Sequence, residues 1–354
     1  STGTHTVSET QSNGYTASYS GACDSNGTVV LNSGDDKTCI ITNDDIAPKL
    51  TIIKEVNNDN GGKMKVEDFP LYVNNELVVS GVKNIYKVGQ YIVSEDGDNG
   101  YSATFSGACD SDGKVTLNPG DDKTCVITND DISPELTVIK KVVNDDGGDL
   151  QPSDFTMQVS GTDVSKVSFE GSDFPGVTVT LDAGNYSVDE INHDGYSKSL
   201  GTDCSGTISV GEKKTCIITN DDISPRLIVK KHVINDNGGN LHASDFTLNI
   251  TGTNVSSHTV IGSETGVEVF LNAGSYSVDE NNVYGYAKMI GDNCSGTITI
   301  GETKECTITN NDIQPTLKVT KLIKNTYEGT LLVTDVTLLV KSEKVESGIV
   351  NYFN

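Results

Sequence analysis

A lysine, a glutamate and an asparagine recur at set distances along this chain. The lysines are Lys54, Lys140, Lys231 and Lys321, the glutamates Glu9, Glu95, Glu190 and Glu280, and the asparagines Asn43, Asn129, Asn220 and Asn310. Each lysine stands 11 residues after an asparagine, with a proline (Pro48, Pro134, Pro225 or Pro315) between them. Strand alternation gives these polar residues apolar company. Leu227, Val229, Lys231 and Val233 fall on one face of a strand, as do Leu50, Ile52, Lys54 and Val56. Tyr186, Val188 and Glu190 share a face of a second strand, and Cys216, Ile218 and Asn220 of a third. The lysine's neighbour on the opposite face changes freely, from Glu55 to Lys141, His232 and Leu322.

Polar groups aimed into an apolar interior need partners, because an unpaired buried charge is costly. Two arrangements meet that need. In one, lysine and glutamate form a buried ion pair and the asparagine takes the leftover hydrogen bonds. In the other, the three react. A dry core pushes both ionisable groups towards their neutral forms. The free amine is then a nucleophile, and a protonated carboxyl can polarise the asparagine amide and shuttle protons as ammonia leaves. Folding supplies the proximity that such a slow amide exchange requires. The product is a Lys-Asn isopeptide bond, and the spacing by itself leaves both arrangements open.

The elements that must position these residues read as short strands. Thr, Val, Ile, Asn, Asp and Ser dominate, glycine is frequent at 36 of 354 residues, and no stretch holds a helical period. Four repeats of about 88 residues are each large enough for one small β-domain. Within a repeat come the lysine strand, an Asn/Asp-Gly-Gly turn, a Ser-Asp-Phe-Thr strand (153–156 and 244–247), a Val/Thr strand, the glutamate strand, a Gly-Tyr pair, a cysteine hairpin and the asparagine strand. About seven strands with period-two alternation describe a β-sandwich. Eight cysteines fall two to a repeat, and their spacing predicts four local disulfides: Cys23 with Cys39, Cys109 with Cys125, Cys204 with Cys216, and Cys294 with Cys306. That implies an oxidising, extracellular setting. The clustered cysteines and nearby histidines of a zinc site are lacking.

A net charge of -25 argues against nucleic acid and against docking on anionic lipid. No apolar stretch approaches the roughly 20 residues of a membrane span. The five histidines form no metal spacing, and no serine or cysteine sits in a nucleophile motif, so a turnover enzyme is not expected. No cofactor is required by this reading. Calcium is one option: residues 57–62, 144–149 and 235–240 resemble parts of calcium loops, and the pairs Asp44-Asp45, Asp130-Asp131 and Asp221-Asp222 sit at the repeat junctions. The same Asn-Gly and Asp-Gly steps are also ordinary hairpin turns.

The lysine on a first strand, the Tyr-x-Val-x-Glu box (Tyr186 to Glu190, Tyr276 to Glu280) and the asparagine closing the last strand resemble the collagen-adhesin B-type, prealbumin-like repeats of bacterial surface proteins and pilus subunits. The cysteine pairs depart from that pattern. The resemblance implies tandem immunoglobulin-like or prealbumin-like β-sandwiches with bonds Lys54 to Asn129, Lys140 to Asn220 and Lys231 to Asn310, assisted by Glu95, Glu190 and Glu280. It divides the chain into three complete sandwiches at 47–133, 134–224 and 225–314, flanked by the later half of a sandwich at 1–46 and the earlier half at 315–354. There is no starting methionine or signal peptide, as expected of a mature product or an excised piece. Joining the two halves across copies restores the repeat, with Lys321 set to bond Asn43 of the next copy and Glu9 to assist. The expected function is structural: a subunit of an extracellular, pilus-like filament whose partners are other copies of itself, head to tail. The rival is the stalk of a longer repetitive surface adhesin whose binding head lies elsewhere. The sequence names no host, cell or matrix ligand.

Overall fold

The structure, a computed structural model, describes residues 1–352; Phe353 and Asn354, which end the expected C-terminal half, lie outside the described residues. Among the described residues every regular element is a strand or a short 3-10 turn. In the first complete sandwich, one sheet runs Tyr101–Gly107, Asp122–Asp131, Lys49–Asn57, Lys83–Ile85, and the other Lys114–Leu117, Gly89–Glu95, Leu71–Val73, Glu76–Val78. The third sandwich repeats this plan, with Arg226–Ile234 beside Thr303–Asp312 and Thr247–Thr251 beside Gly274–Glu280. The middle repeat carries the corresponding strands from Glu135–Val143 to Lys213–Asp222. Each sandwich has eight strands rather than about seven, the increase coming from three-residue strands too short to show as alternation.

The defining pairing is between the first and last strands of a sandwich. Lys49–Asn57 runs parallel to Asp122–Asp131, with Lys54 opposite Ile127 and Val56 opposite Asn129. Arg226–Ile234 and Thr303–Asp312 pair in the same register, with Lys231 opposite Ile308 and Val233 opposite Asn310. The other strand pairs of these two sandwiches are antiparallel. Between the sheets, Leu50, Ile52, Leu71, Val73, Val93, Leu117 and Ile127 form the core of the first sandwich, and Leu227, Val229, Leu248, Ile250, Val269, Val278 and Ile308 that of the third. The expected disulfides are all present, one to each cysteine hairpin.

One strand expectation is corrected. The Ser-Asp-Phe-Thr segments are not strands throughout: Pro152–Asp154 and Ala243–Asp245 are 3-10 turns, as is Val66–Asp68. The aspartate in each turns back to accept the N–H three residues earlier, at 2.7–2.8 Å. A short polar side chain bonding its own backbone competes with the sheet ladder.

The residues fall into two compact units: 1–139, 156–190 and 200–217 in one, and 140–155, 191–199 and 218 onward in the other. In the first unit, the N–H of Gly120 donates to the Ile46 carbonyl and that of Gly211 to Ile132, both at 2.7 Å. Gly14, at φ 81, lies so close that a Cβ would stand 2.2 Å from the Pro119 carbonyl oxygen. In the second, Gly301 donates to Ile223 at 2.7 Å and Ala273 to Asp146 at 2.8 Å.

The flanking segments have half of this architecture each. In the N-terminal one, Gly3–Thr6 pairs with Thr28–Leu31 and Tyr15–Gly21 with Cys39–Asp45. In the C-terminal one, Thr316–Lys318 pairs with Val350–Tyr352 and Leu338–Val340 with Glu343–Val345. Lys321, expected within a strand like the other lysines, lies beyond the end of Thr316–Lys318. Its counterparts are held by a parallel asparagine strand, and the described residues of the C-terminal segment contain no such strand.

Candidate isopeptide site

Alternation along a β-branched strand drives the lysine inward. Thr51, Ile52 and Ile53 precede Lys54, and the side chains of Leu50, Ile52 and Lys54 are buried together. The Lys54 amine is fully buried and stands 3.0 Å from Glu95 Oε2, whose side chain is 4% exposed. It also lies 4.7 Å from the centre of the Phe69 ring. In the third sandwich, the Lys231 amine is 3.3 Å from Glu280 Oε2, 4.4 Å from the Phe246 ring centre, and donates to the Ile308 carbonyl at 3.3 Å. In the middle repeat Lys140, Glu190 and Asn220 are all buried, with the Lys140 amine 4.2 Å from the Phe155 ring centre. Burial pushes the Lys54 and Lys231 amines below the usual lysine range, against the opposing pull of Glu95 and Glu280.

The asparagines occupy the position the register dictates. Asn129 and Asn310 lie two residues beyond the residue opposite the lysine, on the same buried face of the neighbouring strand, a diagonal that a long side chain can span. Both are 1% exposed, as is Asn220. Asn129 Oδ1, Asn220 Oδ1 and both amide atoms of Asn310 are buried with no hydrogen-bond partner. A buried polar atom left unpaired costs about 1–3 kcal/mol. An asparagine kept only to absorb leftover hydrogen bonds would make them.

The aromatic floor was missing from the sequence reading, although its signal was there. Phe69, Phe155 and Phe246 each follow the lysine by 15 residues. A ring face stabilises the charged amine through its quadrupole while the same apolar contact excludes water. The flanking segments differ from the complete sites. Glu9 and Asn43 are exposed, Lys321 is half-buried, and Val336 stands where the phenylalanine would be.

The second aspartate of each acidic junction in the complete sandwiches also caps the turn that follows the lysine strand. Asp131 accepts the N–H groups of Asp59 (3.1 Å), Asn60 (3.0 Å) and Gly62 (2.7 Å). Asp222 does the same for Asp145, Asp146 and Gly148, and Asp312 for Asp236, Asn237 and Gly239. Burial works to raise Asp312, but those N–H donors outweigh it and hold its carboxyl below the usual range. Tyr101, Tyr196 and Tyr286, from the Gly-Tyr pairs, complete the anchor by donating to Asn58, Asn144 and Asn235 at 2.5–2.6 Å. Asp59, Asp130 and Asp131, and likewise Asp145, Asp221 and Asp222, also bring carboxylate oxygens within 4.8 Å of one another.

Residues 45–127, 131–220 and 222–311 each match the prealbumin-like fold domain family. No curated protein matches the chain in sequence. Among solved structures it is similar to the Bacillus anthracis TIE protein, at 19% identity over 80% of this chain and 55% of that one, with a TM-score of 0.45. It is similar to the pilus adhesin SpaC of Lactobacillus rhamnosus GG, at 14% identity over 80% and 46% and a TM-score of 0.24. Two B repeat units of the collagen binding protein of Staphylococcus aureus match at 12% identity over 84% and 93%, with a TM-score of 0.18. This chain spans about half the length of the first two. With three tandem matches covering most of its length, the chain belongs to the prealbumin-like fold domain family.

Proposed function

We propose that this chain is a structural subunit of an extracellular, pilus-like filament in which every sandwich is closed by one disulfide and one Lys-Asn isopeptide bond. The observation that carries the reading is the buried asparagine oxygen without a partner, diagonal to an amine that burial holds below its ordinary range. The neutral amine of Lys54 attacks the Asn129 side-chain carbonyl carbon, and the Nζ–Cγ bond forms. Glu95, 3.0 Å from the amine, gives its carboxyl proton to the departing nitrogen and takes the amine's proton in exchange. The Cγ–Nδ2 bond breaks and ammonia leaves. Lys140 with Asn220 and Glu190, and Lys231 with Asn310 and Glu280, react in the same way. Each site works once, so the chemistry is assembly rather than turnover.

The flanking segments extend the reading to assembly. Residues 1–46 hold late strands with Glu9 and Asn43 exposed, and residues from 315 hold early strands with Lys321. An open strand edge is a template for another chain. The C-terminal segment of one copy completes the N-terminal segment of the next, and Lys321 bonds Asn43. The rival reading, a stalk within a longer repetitive surface adhesin, has both segments completed by flanking sequence instead. Reducing, denaturing electrophoresis of native material separates them: the filament gives covalent multiples, whereas a discrete 37.6 kDa band overturns the covalent polymer.

A further inference from the structure

We propose that the C-terminal segment carries a second, noncovalent half-site for the neighbouring copy: the loop at residues 325–329 receives the Tyr15 hydroxyl and the Asp45 carboxylate of another chain. This rests on the head-to-tail reading and names the contacts that would guide it.

Each complete repeat contains the finished version. A tyrosine donates to the loop asparagine and accepts a backbone N–H, from Met64, Leu150 or Leu241, at 3.1–3.2 Å. An aspartate at the end of the asparagine strand caps three further loop N–H groups, as described above for Asp131, Asp222 and Asp312. The flanking segments divide this network between them.

The loop side is already shaped. Asn325 Nδ2 donates to the Leu331 carbonyl at 3.1 Å, as Asn58, Asn144 and Asn235 do to Met64, Leu150 and Leu241 at 2.9 Å. Glu328 adopts a left-handed backbone, φ 62, where Gly61, Gly147 and Gly238 have φ 87, 97 and 94. Gly329 packs on Asn325 Oδ1, 3.1 Å from where a Cβ would lie, as Gly62, Gly148 and Gly239 pack on their asparagines. The Lys321 N–H donates to Ser347 Oγ at 2.9 Å, matching Lys54 and Ser80. Thr326, Tyr327 and Gly329 therefore stand where the three N–H donors stand in the complete repeats.

The ligand side is equally arranged. Tyr15 and Asp45 face each other across the Tyr15–Gly21 and Cys39–Asp45 pair, the register of Tyr101 with Asp131 and Tyr286 with Asp312. Tyr15 is 36% exposed against 8% for Tyr101, and Asp45 is exposed whereas Asp131 is buried. A hydroxyl and a carboxylate are displayed side by side, and the loop that fits them is displayed on the other segment.

The test uses the full chain carrying Lys321→Met, which cannot form the covalent link, and reads self-association by sedimentation velocity across a concentration series. We expect reversible association, weakened about 100-fold by adding Asp45→Ala and about fivefold by adding the conservative Tyr15→Phe. Association unchanged in both variants overturns the loop contact and leaves head-to-tail assembly standing. A Lys321→Met chain that stays monomeric at every concentration overturns the assembly, and this contact with it.

Discussion

A lysine amine in a dry core and an asparagine oxygen without a donor are each unfavourable alone, and the proposed bond between them would relieve both. The titration of the amine offers a check that does not depend on seeing the bond. In a chain carrying Asn129→Ala, Asn220→Ala and Asn310→Ala, the amines stay free. The folded pKa of the Lys54 and Lys231 amines lies below the unfolded value of about 10.5, because burial disfavours the charged form. Between those two values the unfolded state binds more protons, so stability rises with pH through that window and levels off above it. With the proposed bonds formed, the same nitrogens in the parent protein would be amides and would not titrate. Urea midpoints measured against pH should therefore climb more steeply in the triple variant, and equal slopes would contradict the bond. The triad itself was legible because strand alternation placed Lys231 in line with Leu227 and Val229. The Phe246 ring beneath it was not recognised, since a lone phenylalanine in a strand reads as ordinary core.

At the scale of elements, the parallel pairing of first and last strands brings lysine and asparagine together, and the aspartate anchor fixes the turn that follows the lysine strand. The anchor contributes stability of its own. Asp312→Ala removes the acceptor for the N–H groups of Asp236, Asn237 and Gly239. We expect the urea midpoint of the third sandwich to fall, with no recovery on adding calcium. An unchanged transition would show that the turn holds without it. This role could not be read from the sequence, where Asp-Asp beside an Asn-rich turn suggests cation ligands. The donors that converge on the carboxylate are backbone N–H groups, which no residue letter records. The cysteine hairpins, by contrast, were legible, because each pair lies close in sequence on either side of a glycine-bearing turn. The lost regularity at Lys321 also belongs to this scale: its residue pattern is that of a strand, but a strand needs a partner to pair with.

Across the whole molecule the same residues recur: a buried lysine, glutamate and asparagine in three sandwiches, and their counterparts divided between two flanking segments. A net charge of -25 keeps such surfaces apart unless a specific fit overcomes the repulsion. The measurement that tests the central claim most directly is the intact mass of the reduced, denatured chain carrying Asn43→Ala, which prevents covalent joining between copies. Three isopeptide bonds predict a mass lower than the sequence mass by three ammonia, and by only two when Glu280→Ala is added. A mass equal to that of the sequence would leave buried ion pairs in place of the bonds and contradict the account.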